Sequence, residues 1–343
     1  MNYALNKNHS VGGKYMGTIS DYKLLDSPYD YMQVYRNGEL LTSTDNKTDE
    51  SEKERFHNAN VYYVGALSEK LQLNVDADYV YSRLNHWQQV TETSRIDAAQ
   101  EITHIQNDQR NRAAAFKGVL AWKVNESNGF DFGTDFSKIS SWGTSVNEEG
   151  KIADDRFKNK ETKYAGFVSY RLSSEKWRGS VGLRYEYVHA INTDQGEVKN
   201  KADYSDILPS LSLSTSVGKV DLNLDFSSRV NRPSFRQLNN SVSYNNQYHY
   251  EQGNIYLKPQ YVYDTEFSLN YGIIDFKVDY QYIKDYIHPT VVAITGKPGT
   301  VAWMSTNADR FQQLGAQCVV APVVGCWRPI LTAGVYKPYF TLT

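Results

Sequence analysis

Apolar and polar residues alternate one by one along much of this chain, and this alternation limits most strongly what the chain can fold into. Between residues 71 and 81, Leu71, Leu73, Val75, Ala77, Tyr79 and Tyr81 alternate with Gln72, Asn74, Asp76 and Asp78. Successive strand side chains point to opposite faces, so the pattern predicts strands with one apolar and one wet face. The rhythm returns near 130–136, 181–187, 211–217, 220–226, 267–271 and 276–282. No segment of similar length carries a helical apolar stripe, which predicts an all-β chain.

The connections between these runs are alternately short and long. The short connections are 68–70, 125–129, 173–176, 218–219, 272–274 and 322–325, and the long polar ones are 45–56, 84–109, 139–162, 189–205, 231–259 and 288–308. Hairpin loops usually have about 2–5 residues, so the two sets are distinct. Their alternation places them at opposite ends of one antiparallel meander. We count about fourteen strands of roughly 10–13 residues, the length that crosses a bilayer at a tilt of about 45°.

This asymmetry favours an outer-membrane barrel over a soluble sandwich, which has no reason to collect its long loops at one end. Charged residues of the wet face suit a water-filled lumen, and they are Asp76, Asp78, Asp131, Asp135, Arg184, Glu186, Asp221, Asp225, Lys277 and Asp279. An open sheet edge is not viable in hydrocarbon. We therefore predict an antiparallel up-and-down transmembrane β-barrel of which this chain supplies about fourteen strands, with further strands needed for closure.

Composition agrees with this prediction and excludes other classes. A mean hydropathy of −0.59 and the lack of an apolar run near the ~18 residues of a membrane helix exclude a helical membrane protein. The net charge of −2 provides no positive field for nucleic acid. Tyrosine outnumbers phenylalanine, 27 to 13. Because tyrosine has an apolar ring and a polar edge, we expect Tyr79, Tyr81, Tyr185, Tyr187, Tyr271, Tyr280 and Tyr282 to form interfacial girdles.

Both ends of the sequence predict a piece of a longer chain. The residues after Met1 lack the basic and apolar regions of a secretory signal, and the last residues stop inside an alternating pattern. We therefore expect residues 1–343 to be a partial barrel domain, with its signal peptide lying elsewhere.

Two linked motifs suggest a family. The first contains Arg229, Arg232, Pro233, Phe235 and Leu238, and the second contains Gly253, Asn254, Leu257, Lys258 and Pro259. Together they resemble the paired Arg-x-x-Arg-Pro-x-aromatic-x-x-Leu and Gly-Asn-Pro-x-Leu-Lys-Pro-Glu stretches of TonB-dependent outer-membrane receptors, in particular the outer-membrane β-barrel family proteins. Ile255 stands where the family usually has Pro, and Gln260 where it has Glu.

The resemblance implies the middle-to-late part of a 22-stranded barrel in the outer membrane of a Gram-negative bacterium. It also implies active uptake of a scarce ligand of the siderophore, cobalamin or oligosaccharide class. The implied partners are outer-membrane lipid, a plug domain absent from this sequence, TonB acting through that plug, and a surface lipoprotein. Two alternatives share some of these features. One is a passive porin or a structural or adhesive barrel without a plug, and the other is a soluble all-β carbohydrate-binding protein.

Candidate chemistry in the chain is binding, and we expect no enzyme. The sequence lacks nucleophile-elbow, P-loop and zinc-protease motifs, and its seven histidines have no metal-ligand spacing, so we predict no cofactor and no metal. Aromatic residues in or beside the long connections suit contact with a sugar or an aromatic chelator. The ligand-binding candidates are Trp87, Trp142, Tyr244, Tyr248, His249, Tyr250 and Trp303. Each also fits a girdle or loop-packing role. Cys318 and Cys326 flank a turn, and whether they are bridged stays open.

Overall fold

The fold is known from a computed structural model that describes residues 1–238, 242–294, 297 and 299–341. Within these residues the regular secondary structure consists of seventeen β-strands. They are β1 (Asn2–Asn6), β2 (His9–Leu24), β3 (Asp30–Arg36), β4 (Glu39–Ser68), β5 (Leu71–Ser94), β6 (Gln100–Lys123), β7 (Asn128–Asn147), β8 (Asp155–Ser173), β9 (Trp177–Asp194), β10 (Glu197–Val217), β11 (Val220–Asn231), β12 (Val242–Asn246), β13 (His249–Gln252), β14 (Gln260–Tyr271), β15 (Ile274–Ala293), β16 (Val301–Val320) and β17 (Leu331–Thr341).

Fourteen of these strands form one antiparallel meander, as the sequence predicted. Strand β2 pairs with β1 and β4, and each later strand pairs with the next as far as β11. The order then continues from β11 to β14, β15, β16 and β17. Strand β3 extends the sheet beside the outer part of β4, and β12 and β13 form a hairpin that joins the sheet through β16. Within the described residues, β1 and β17 each pair with one strand and form the two edges of the meander.

Most strands of the meander are longer than predicted, whereas β11, β14 and β17 have the predicted length, with 12, 12 and 11 residues. Strand β4 has 30 residues and β5 and β6 have 24 each, so most of the predicted loops 45–56, 84–109, 139–162 and 189–205 are strand. The turns at their outer ends are short. These extensions could not be recognised in the sequence, because a strand with water on both faces has no alternation of apolar and polar residues.

The register places the predicted wet face inside and the apolar face outside. One row across the sheet runs Asp76, Lys117, Asp135, Ala165 and Glu186. The neighbouring outward row runs Val61, Ala77, Phe116, Phe136, Tyr164 and Tyr187. All the tyrosines predicted for the girdles share the outward face. The ten-residue rise from Leu71 to Tyr81, at about 3.3 Å per residue and a tilt near 45°, gives a band roughly 23 Å high.

Tight turns join the strands below this band, with one exception. Gly218 and Gly272 have φ values of 65° and 59°, the left-handed conformation that two-residue hairpins need. The connection predicted at 322–325 is present but longer than predicted, because β16 ends at Val320 and β17 begins at Leu331. Cys318 consequently lies opposite Ala333, and Cys318 and Cys326 are both free thiols.

One long connection folds inward and forms a buried core. Residues 232–238 and 242–259, here called the inward segment, include the hairpin β12–β13. Tyr244 and Tyr250 of this hairpin pack with Val90 of β5, Ile105 of β6 and Ala302 of β16. Because Val90 and Ile105 are on the lumen face, the inward segment lies inside the outer part of the sheet.

Candidate functional site

The inward segment joins two distant parts of the sheet. On one side the Tyr244 hydroxyl donates a hydrogen bond to the Glu92 carboxylate, and the Gln247 backbone N–H donates to the same carboxylate at 3.0 Å. On the other side β13 pairs with β16 in parallel, with Tyr250 opposite Ala302. Since β5 and β16 are far apart in the strand order, the hairpin crosses the mouth of the lumen.

An ion-pair network holds the start of this segment. One guanidinium nitrogen of Arg232 lies 2.9 Å from Glu186 of β9 and 3.5 Å from Asp206 of β10. The Arg232 side chain is 15% exposed and the two carboxylates 8% and 7%, so water screens these charges little. Arg229, by contrast, is 49% exposed and pairs with Asp264 of the adjacent strand.

The second motif holds the end of the segment. The Asn254 side chain donates to the Ser305 carbonyl at 3.1 Å, and its backbone N–H donates to the Gln237 carbonyl at 2.6 Å. Asn307 of β16 both accepts from the Lys258 N–H and donates to the Lys258 carbonyl, at 2.9 and 3.0 Å.

Buried apolar side chains complete this attachment. Leu238, Ile255 and Leu257 are all buried, and the Ile255 carbonyl accepts a hydrogen bond from Asn200 of β10. Ile255 therefore keeps the segment packed at the position where the family usually has Pro. Residues of the two motifs attach the two ends of the inward segment to the sheet. The sequence alone did not indicate this structural role.

A first cavity opens above the hairpin. Its volume is about 410 Å³, and it is lined by Glu101, Lys151, Tyr244, Gln247, Tyr248, Tyr250, Lys297 and Thr300. The Lys297 ammonium lies 5.0 Å from the Tyr250 ring centroid and donates to its hydroxyl at 3.2 Å. Lys151 pairs with Glu101 at 2.8 Å. Aromatic rings beside two ammonium groups suit a ligand with planar and anionic parts.

A second cavity lies below the hairpin, inside the lumen. Its volume is about 540 Å³, and its lining includes Glu52, His86, Arg236, Glu251 and Trp303. The His86 Nε2 is 3.3 Å from a Glu50 oxygen, and Arg236 is 3.5 Å from Glu251. The lining therefore offers cations, carboxylates and an aromatic face in one space.

Five of the seven predicted ligand-binding residues belong to this region. Tyr244, Tyr248 and Tyr250 line the upper cavity, Trp303 lines the lower one, and the His249 ring lies 5.8 Å from the Trp303 ring. Tyr244 and Tyr250 are buried, so their role includes packing of the hairpin.

Trp87 and Trp142 do not lie in loops. Both occupy outward positions on strands β5 and β7, Trp87 beside His104 and Trp142 under Arg110. Placing them with the loops was wrong, because the strands continue past the membrane band. Sequence reasoning also missed Glu92, Lys151, Arg236 and Lys297, which become neighbours of the hairpin through long-range packing alone.

Tyr244 and Glu149 are among the groups outside the membrane band whose pKa values are shifted. Burial, followed by the hydrogen bond to Glu92, raises the pKa of Tyr244 and keeps its hydroxyl protonated. Burial opposes ionisation of Glu149, but the hydrogen bonds from the His104 backbone and ring outweigh it, so the pKa of Glu149 is below its usual value. His104, Glu148 and Glu149 present ligand atoms within 4.8 Å of one another. The hydrogen bonds between His104 and Glu149, 2.6 and 2.8 Å long, account for most of this clustering.

Comparisons with known proteins agree with this architecture. Residues 66–336 match the sequence profile of the "Outer membrane protein beta-barrel family". The ferric preacinetobactin receptor BauA from Acinetobacter baumannii superposes with a TM-score of 0.58 at 11% identity, covering 100% of this chain and 54% of BauA. The copper transporter OprC gives 0.51 at 10% identity, covering 97% of this chain and 61% of OprC. The chain thus spans little more than half the length of these proteins, whose similarity shows the fold.

No curated protein sequence matches the chain significantly. Among the described residues, no helix has the length and apolar character needed to cross a membrane.

Proposed function

Because the chain belongs to the outer membrane protein beta-barrel family of the Gram-negative outer membrane, we propose that it is the barrel part of a TonB-dependent receptor. In this proposal the receptor takes up a scarce ligand of the siderophore, cobalamin or oligosaccharide class. Loops at the outer end capture the ligand, and the lumen holds a plug domain that TonB displaces. BauA and OprC, which share the fold and are described as a ferric preacinetobactin receptor and a copper transporter, are consistent with uptake.

The observation that carries the proposal is the inward segment across the mouth. It is anchored at Arg232 and Asn254, packed at Tyr244, and bounded by one cavity above and one below. A passive pore needs a continuous water path, and a segment fixed across the mouth narrows that path. A receptor needs a formed surface that faces the outside, which the upper cavity supplies.

The lumen face supports the proposed plug. Charged side chains line it over the whole membrane band, including Asp76, Asp131 and Lys277. A polar plug would find partners for hydrogen bonds and ion pairs on such a wall. We further propose that strands outside this sequence join β1 to β17 and complete a barrel of 22 strands, because open edges are not viable in hydrocarbon.

The test is uptake by the full-length receptor in intact cells. The probes are a ⁵⁵Fe-loaded ferric siderophore panel, radiolabelled cobalamin and labelled oligosaccharides. With the transported probe, Tyr248→Ala and Trp303→Ala should each reduce binding about tenfold, while the outward Trp87→Ala should not. Dependence on TonB should be complete.

A second measurement separates this proposal from the porin alternative. The purified full-length protein in a planar bilayer should conduct ions poorly as isolated. A large, steady conductance together with TonB-independent uptake would contradict the receptor and indicate a passive porin.

A further inference from the structure

The outward face of the sheet carries a dense group of cations immediately above the apolar band. Two adjacent cross-strand rows define it. One row runs His57, Tyr81, Arg112, Ser140 and Lys160, and the next runs Arg55, Arg83, Arg110, Trp142 and Lys158, from β4 to β8 in each case. Lys138 lies one row below, opposite Ala114. The seven cations Arg55, Arg83, Arg110, Arg112, Lys138, Lys158 and Lys160 are here called the basic belt.

The basic belt is accessible and little neutralised. Arg55, Arg110, Arg112, Lys138, Lys158 and Lys160 are exposed, and Arg83 is half-buried. Asp108, from the row above, lies 2.8 Å from Arg83 and 3.3 Å from Arg110. Within the described residues, Arg55, Arg112, Lys138, Lys158 and Lys160 are in no ion pair. Seven cations and one carboxylate therefore leave a strong local excess of positive charge.

The position of the basic belt relative to the membrane indicates which part of the lipid its cations meet. Tyr79, Phe116 and Tyr164 stand on the outward rows directly beneath, where tyrosine and phenylalanine rings mark the edge of the hydrocarbon. Cations one and two rows higher meet the headgroup layer of the outer leaflet. Two rings also hold belt cations in place, since Arg112 lies 5.9 Å from the Tyr81 ring centroid and Arg110 lies 5.1 Å from that of Trp142.

We propose that the basic belt is a binding site for a phosphate-bearing glycolipid headgroup of the outer leaflet. Clusters of lysine and arginine beside a membrane recognise anionic headgroups through charge, and arginine forks bind phosphate oxygens in pairs. The chains of the lipid would lie along the apolar band beneath Lys138, and its phosphates would lie between Arg112 and Lys160. This site is on the outside of the wall, separate from the lumen and from both cavities.

The experiment measures binding of purified glycolipid to the full-length protein in detergent micelles by native mass spectrometry. The probes are hexa-acylated lipid A with its phosphates and the same lipid after removal of the phosphates. The test variant is Arg112→Gln/Lys138→Gln/Lys158→Gln/Lys160→Gln. The matched control, Lys70→Gln/Lys176→Gln/Lys219→Gln/Arg328→Gln, removes four exposed cations from the connections at the opposite end of the strands.

We expect phosphorylated lipid A to bind the wild type and the control equally and the test variant at least tenfold more weakly. The dephosphorylated lipid should bind all three weakly. Equal affinity of the test variant and the wild type, or equal binding of both lipids, would overturn the proposal. Binding of an acidic polysaccharide without acyl chains as tightly as lipid A would also overturn it, because the belt would then serve a soluble polymer. Heat-modifiable migration of each variant in gels verifies folding independently of lipid.

Discussion

At the scale of single residues, the two arginines of the first motif, Arg229 and Arg232, differ in burial and in the strength of their ion pairs. Arg232 is buried against two carboxylates of neighbouring strands, whereas Arg229 makes one pair at a half-exposed position. Surface ion pairs contribute about 0–1 kcal/mol, while loss of one member of a buried pair leaves an uncompensated charge. Both arginines belong to the same sequence motif, but only Arg232 is buried in the structure, so we expect their contributions to stability to differ.

Replacement of Arg232 should therefore destabilise the barrel far more than replacement of Arg229. We expect Arg232→Ala to lower the free energy of unfolding by about 3–5 kcal/mol, because Asp206 stays buried without its cation and Glu186 keeps only Arg184, 2.7 Å away. Arg229→Ala should cost about 1 kcal/mol or less. Urea unfolding of the full-length protein in micelles measures both values. Equal losses for the two variants would contradict the role of the network.

The hydroxyl of Tyr244 should matter separately from its ring. Tyr244→Phe keeps the packing with Val90 and Ile105 but leaves the Glu92 carboxylate, 4% exposed, without that donor. A loss of about 1–3 kcal/mol is expected, seen as faster hydrogen exchange in residues 242–252. Tyr248→Phe, at the cavity wall, is the matched control and should leave exchange unchanged.

Acid should loosen the outer turn between β7 and β8 through Glu149. Its pKa in the folded chain is below the ordinary value of 4.5, so its contribution to stability is complete above pH 4.5 and is lost as pH falls through the lower folded value. Hydrogen exchange of residues 147–155, corrected for the intrinsic rate, should rise over that range. Glu149→Gln should remove this pH dependence, and Glu148→Gln should retain it.

At the scale of elements, the membrane-spanning half of each strand was predictable and the outer half was not. Alternation from Leu71 to Tyr81 required that one face meet lipid and the other meet water, and the observed register obeys it. Beyond Tyr81 both faces meet water, so residues 84–94 read as a loop although they continue β5. Tyr244 and Tyr250 could be chosen from the sequence as candidates, but their contacts with Glu92 and Ala302 depend on strands far away in sequence.

Glycines on the lumen face of strand β7 allow large rings to lie across it. A Cβ at Gly133 would come 2.0 Å from the Phe167 ring, whereas a Cβ at the neighbouring outward Gly166 would meet nothing closer than 3.9 Å. Gly133→Ala should therefore displace the Phe167 ring from the Arg184 guanidinium, 5.8 Å away, and cost about 1–3 kcal/mol in urea unfolding. Gly166→Ala should leave stability within about 0.5 kcal/mol of the wild type.

At the scale of the whole molecule, the chain has two distinct ends. Long strands with short tips project on one side of the apolar band, and turns such as 218–219 and 272–273 close the other. Outer-membrane barrels have their short turns in the periplasm, so we expect the basic belt and the inward segment to face outward from the cell. Thiol labelling can test this orientation.

The native thiol of Cys326 lies exposed in the connection between β16 and β17, at the end of the short turns. A bulky maleimide that cannot cross the outer membrane should label Ile96→Cys, at the exposed tip between β5 and β6, in intact cells. Cys326 should react only after the outer membrane is permeabilised. Labelling of Cys326 in intact cells would reverse the assigned orientation.

The inward segment has a consequence for the order in which the molecule assembles. The Tyr244–Glu92 contact joins residues 152 positions apart, and β13 needs β16, which is made about 50 residues later. Contacts of such high sequence separation form late, because the entropy of closing long loops must be overcome first. The β12–β13 hairpin can make its contacts only after β5 and β16 have formed on opposite sides of the lumen. We therefore expect the hairpin to dock late in folding. Protection of the Tyr244 amide from hydrogen exchange would show when this docking is complete.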